Sequence, residues 1–135
     1  MEKKTDGKQM LREIFAPLYA KDQAALHRCL KAHAELEAFV KTLPFEVEID
    51  TESRTFLIAR FNLLGYDARV TYSSEIDRYG YEAVMDSCMS KFKDLASCFE
   101  ELCLGLSKQI IGSGRGLELK NLLFDPSEEA QLDII

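Results

Sequence analysis

Apolar positions recur every three or four residues over the first third of the chain, then alternate with polar ones, then return to the longer spacing. Met10, Leu11, Ile14, Phe15 and Leu18 form one helical stripe, and Pro17 is expected to kink or end the helix that carries it. Asp22 can cap a second helix, in which Leu26, Leu30, Leu36, Phe39, Val40 and Leu43 keep the spacing as far as Pro44. From there Phe45, Val47 and Ile49 alternate with Glu46, Glu48 and Asp50, the pattern of a half-buried strand. "TESR" supplies a turn, "TFLIARFNLL" is apolar on both faces and reads as a central strand, and "DARVTYS" after Leu64 and Gly65 completes a three-stranded antiparallel meander.

Turn lengths then set the faces. A two-residue turn at Glu52 and Ser53 pairs Ile49 with Phe56 and Val47 with Ile58, and a three-residue turn with Gly65 left-handed pairs Ile58 with Val70 and Phe56 with Tyr72. On that register the core face is Phe45, Val47, Ile49, Phe56, Ile58, Val70 and Tyr72. The opposite face carries an apolar row, Leu57, Ala59 and Phe61, flanked by Glu46, Glu48, Asp67, Arg69 and Thr71.

Ser73 or Ser74 can cap the entry to a long segment in which Tyr81, Met85, Cys88, Met89, Phe92, Leu95, Phe99, Leu102, Cys103, Leu106 and Ile110 fall on one stripe. A helix from Tyr81 to Ile111 would be roughly 46 Å long, more than strands of about 17–20 Å can cover. The surplus stripe calls for the earlier helix, the C-terminal segment or a second copy, and homodimerisation through this helix is the simplest solution. The glycines of "GSGRG" follow a helix and lack the lysine of a phosphate loop, so Gly112 is expected to close the helix in the left-handed conformation, with Ser113 to Gly116 as a joint. Leu117, Leu119, Leu122, Leu123 and Phe124 can then fold back onto the stripe.

The architecture predicted is α+β: N-terminal helices, a three-stranded β-meander, and a long amphipathic C-terminal helix packed on the sheet. Residues 1–135 form a single domain, with 1–8 a polar tip and 125–135 a flexible acidic tail.

Composition changes this picture mainly by exclusion. A net charge of -6 disfavours nucleic acid and anionic membranes. No signal-type apolar region opens the chain and no run of about 18 apolar residues occurs, so a cytoplasmic location is expected. Cys29, Cys88, Cys98 and Cys103 have no close CxxC spacing and read as reduced core thiols. Cys29 and His33 share a helical face but no second ligand pair accompanies them, so neither metal nor cofactor is expected. Glu100 with Glu101, and Glu128 with Glu129, diverge if helical, and there is no GxSxG elbow or activated thiol, so no catalytic residue is assigned. Arg60 and Arg69 near Phe61, Tyr66 and Tyr72 suggest a base-stacking sheet, but no RNP-type string accompanies them and two glutamates share the face. In size, acidity and order of elements the chain broadly resembles type III secretion chaperones, dimers that bind an unfolded stretch of another protein. No motif carries that resemblance, and the strands expected between the later helices are absent from the pattern.

The function expected is a non-enzymatic protein-binding module, such as an inhibitor, adaptor or specialised chaperone of a bacterial or phage cytoplasm. Leu57, Ala59, Phe61, Glu46, Glu48 and Arg69 are the expected partner-binding residues, since an apolar centre with a charged rim is how many interfaces are built. A nucleic-acid-binding regulator is the alternative, followed by a small-molecule-binding protein or enzyme.

Overall fold

The structure, a computed structural model, describes residues 6–84 and 86–131, the last three by their backbone alone. Met85 of the expected stripe, most of the polar tip and the last four residues of the acidic tail lie outside the described residues. The first element is one helix, α1, Gly7–Val40, started by Asp6, whose carboxylate accepts from the Lys8 N–H at 3.0 Å. The two helical pieces expected on either side of Pro17 are therefore continuous. Pro17 frees the Glu13 carbonyl from its helical partner, and that stretch is exposed, so water can satisfy the freed group.

Five strands come next, β1 Glu48–Ser53, β2 Phe56–Leu63, β3 Tyr66–Ser73, β4 Arg78–Ala83 and β5 Asp86–Phe92, then α2 Leu95–Gly112, α3 Gly116–Leu123 and a 3-10 turn Pro126–Gln131. The strands lie in sequence order and every neighbouring pair is antiparallel. The expected three-stranded sheet and Tyr81–Ile111 helix are thus corrected together. Tyr79 and Tyr81 alternate with Arg78, Gly80 and Glu82 along β4, and Cys88 and Phe92 pair back onto Tyr81 and Tyr79 from β5. Tyr81, Cys88 and Phe92 of that stripe mimicked a helix from one face of two paired strands, whereas Met89 is exposed. Only from Leu95, after Asp94 accepts the Ser97 N–H at 2.7 Å, is the segment helical, with Leu95, Cys98, Leu102, Leu106 and Ile110 buried. The dimer interface assigned to the longer helix goes with it.

The sheet faces are also corrected. Leu64 and Gly65 both have positive φ, 49° and 93°, which makes a two-residue hairpin turn rather than the expected three-residue one. Ala59 consequently pairs with Val70 and Leu57 with Tyr72. The first hairpin turns at Arg54 and Thr55, pairing Ile49 with Ala59. Each shift reverses the parity of β2 against its neighbour, and such a shift moves side chains to the other face. Leu57, Ala59, Phe61 and Leu63 therefore join Ala68, Val70, Tyr72, Tyr79 and Tyr81 in the core, while Phe56 and Ile58 belong to the opposite side. Val47, Ile49, Val70 and Tyr72 are on the core side, as expected, with Phe45 packed against it.

Both long helices cover this one face. Ala25, Cys29, Ala32 and Leu36 of α1 meet β2 and β3, and α2 covers β3, β4 and β5. Arg28 anchors α1 by donating from Nε at 2.9 Å and Nη2 at 2.7 Å to the Ser74 carbonyl. At the far end Gly112 is the last helical residue of α2, but the left-handed residue is Gly114, φ 85°. The Arg115 N–H then bonds the Ile110 carbonyl at 3.0 Å, and α3 folds back onto α2 with Leu119 buried. Arg115 also donates to the Leu64 carbonyl, tying α3 to the β2–β3 turn.

Candidate functional site

With both long helices on one face, the other face of the sheet carries no helix among the described residues. Register converts alternate residues into a row that crosses all five strands: Glu48 beside Arg60, Arg60 beside Arg69, Arg69 beside Glu82, and Glu82 beside Ser87. Like charges directly opposite repel, and here each arginine has its own carboxylate. Arg60 pairs with Asp50 and Arg69 with Glu82. The Arg69 Nε and the Thr71 hydroxyl oxygen are nonetheless buried without a hydrogen-bond partner.

The next row, Asp50, Ile58, Thr71 and Gly80, runs beneath a fold of β5. Ser90 has φ 48° and the β4–β5 register shifts between Tyr79 and Tyr81, so β5 bulges. A Cβ on Gly80 would overlap the Ser90 backbone nitrogen and lie 2.8 Å from the Cys88 carbonyl oxygen, so glycine is what lets β5 cross the outer face there. Ile58 and Thr71 are buried, 5% and 3% exposed, although no helix covers them. Beside this curl lies a cleft of about 720 Å³, its charged lining drawn from Glu48, Arg60, Asp67, Arg69 and Glu82 and its apolar wall from Ala83 and Val84. A neighbouring hollow of about 540 Å³ is lined by Phe45, Glu46, Val47 and Arg60 among others.

The six expected partner-binding residues are therefore split. Leu57, Ala59 and Phe61 are core, 1%, 2% and 7% exposed, and Phe61 stacks on Phe45 at 4.9 Å between centroids. Glu48 and Arg69 lie in the outer-face row, and Glu46 lines the adjoining hollow. Arg60, Glu82 and Ser87 of that row, and Asp50, which pairs with Arg60 from the next row, are not among the six. Arg60 and Asp50 needed only the right hairpin parity, whereas Glu82 and Ser87 needed β4 and β5 to be recognised.

Of the other candidates, the His33 Nδ1 lies 3.2 Å from the Glu37 Oε1 one turn on, while Cys29 points into the core. Among the described residues no group of three His, Cys, Asp or Glu side chains could hold a metal ion. Burial raises the thiols of Cys29, Cys98 and Cys103, the last two to about 12 and about 11, which disfavours the reactive thiolate.

The second exposed feature is the first half of α1. Every residue from 6 to 21 is exposed, including Met10, Leu11, Ile14, Phe15, Leu18 and Tyr19, each at least 52% exposed. Successive residues turn by about 100° around a helix. On that wheel Leu11, Ile14 and Leu18 fall in the sector of Ala25, Cys29, Ala32 and Leu36, with Met10 on one flank and Phe15 and Tyr19 on the other, so an apolar stripe is bare before residue 25 and buried after it.

The chain matches no protein-family model, no curated protein and no solved structure. Among the described residues no helix is long and apolar enough to cross a membrane.

Proposed function

We propose that the protein is a non-enzymatic protein-binding module whose outer sheet face receives a segment of another polypeptide. The cross-strand row Glu48, Arg60, Arg69, Glu82 and Ser87, set in a cleft of about 720 Å³, carries this reading. A polypeptide offers polar groups for the charged row and apolar side chains for the Ala83 and Val84 wall. Pairing both arginines with carboxylates takes away the free basic patch that nucleic acid would need. The lining contains no His, Cys or Lys among the described residues, and Glu82, the carboxylate beside Ser87, is paired with Arg69. The homodimer belongs to the same proposal, with its interface elsewhere than on the discarded helix.

The test is capture from nuclease-treated host lysate by the purified full chain and by an Arg69→Glu variant. A protein retained by the wild type and lost by the variant, at unchanged melting temperature, supports the reading. Equal capture by both would remove the outer face as the site, and binding that vanishes with nuclease or falls steeply with salt would assign nucleic acid instead.

A further inference from the structure

We infer that the exposed arm of α1, residues 7–24, is the homodimer interface, two copies laying their arms side by side in antiparallel fashion. This rests on the dimer part of the proposed function and is independent of the outer sheet face. The first observation is that, among the described residues, the arm has nothing of its own chain to lie on. It projects about 27 Å at 1.5 Å per residue, its apolar stripe is bare, and burial begins only at Ala25. In proteins most helical stability comes from packing an apolar face rather than from propensity, and this stretch contains Pro17, the least favourable residue for a helix interior. A covering partner supplies what the local sequence does not.

Size and shape select a second copy as that partner. Six large side chains that are at least half exposed leave roughly 600 Å² bare on each arm, so one symmetric contact buries about 1,200 Å², the lower bound of a stable interface. Direction comes from continuity of the stripe. After residue 24 the stripe faces its own sheet, so parallel arms would drive the two bodies into the same space. Antiparallel arms put the bodies at opposite ends, and each arm tip stops where the partner's burial begins. With the two-fold axis at Phe15, Leu11 meets Tyr19 of the partner subunit. Lys8 then lies beside Asp22 of the partner subunit, whose own-chain contact is Arg54 at 3.2 Å. The stacked pair Phe15 and Tyr19, 5.2 Å between centroids, lies within the contact.

Sedimentation of the full chain over a dilution series should give a dimer. The double variant Leu11→Lys with Leu18→Lys should be monomeric, with at least a hundredfold loss of association and with the near-ultraviolet signal of the core tyrosines unchanged. A monomeric wild type, or a double variant that still dimerises, overturns the interface. Orientation is read separately by oxidising a mixture of a Lys8→Cys chain and an Asp22→Cys chain. A mixed disulfide is expected, and efficient cross-linking of the Lys8→Cys chain to itself would overturn the antiparallel arrangement. An Arg69→Glu chain should remain dimeric, so failure of partner capture and failure of the arm interface are distinguishable.

Discussion

Phe61 shows how much one residue's side of the sheet decides. A solvent-facing phenylalanine could be replaced at little cost, but here the ring stacks on Phe45 and lies 6.0 Å from Phe99. Phe61→Ala should therefore lose about 3–5 kcal/mol of stability, read as a fall in urea midpoint at constant slope. Gly80 is fixed by the opposite face. Because a Cβ there meets the backbone of Cys88 and Ser90, which cannot swing away like a side chain, Gly80→Ala should cost about 1–3 kcal/mol. The loss should be accompanied by faster amide exchange in β5 than in β2.

At the scale of elements, what could be read from the chain depended on whether a pattern had one physical cause. The stripe Leu26, Leu36, Phe39 and the alternation Val47, Ile49 each came from a single element, and both survive as α1 and the approach to β1. The stripe from Tyr81 to Ile111 combined a hairpin with a helix. Strand alternation around Tyr79 and Tyr81, and Asp94 as a helix start, were the local signals that separate them. The candidate site was legible only by halves, since Glu48 and Arg69 could be placed on the outer face but β2 was assigned with inverted parity. No periodicity distinguishes a two-residue turn at Leu64 and Gly65 from a three-residue one, and that single residue exchanged Ile58 for Phe61 in the core. The helix anchor was likewise invisible, because Arg28 and Ser74 are 46 positions apart. Arg28→Ala removes both donors from a carbonyl whose residue is fully buried, and should cost about 1–3 kcal/mol, measured by chemical denaturation. Within the arm, Pro17→Ala should act in the opposite direction, restoring the helical N–H and raising helicity and melting temperature together.

For the molecule as a whole, placing both helices on one sheet face concentrates the ionisable core groups in a single layer, and this makes its pH dependence asymmetric. On the acid side the lowered carboxyls are Asp94, held by the Ser97 N–H, Glu118, held by Arg115, and Asp125, held by Ser127, all at the surface. Their contribution is present above the unfolded carboxyl range of about pH 4 and is lost as pH falls through their folded values, a shallow effect because water screens each group. On the alkaline side Tyr66 is lowered by hydrogen bonds with Ser113 and Gln109, but the rises among the tyrosines and thiols share one leading cause. Burial raises Tyr72, Tyr79 and Tyr81, and hydrogen bonds donated to Asp77, Glu35 and Asp86 hold their protons further. Cys98 and Cys103, pushed up by burial to about 12 and about 11, add to them. In each case the unfolded chain releases its proton first, so between the unfolded and folded values the unfolded state binds fewer protons and stability falls as pH rises. The loss should begin near pH 9 with the thiols and steepen above about pH 10, where unfolded tyrosines ionise. Tyrosinate absorbance checks this against the fold directly: three of the five tyrosines should stay protonated until the far-ultraviolet signal collapses, and then ionise with it. Gradual ionisation of all five through pH 10 in a folded protein would mean that the Tyr72, Tyr79 and Tyr81 hydroxyls are open to water, and that α1 and α2 do not close over this face of the sheet.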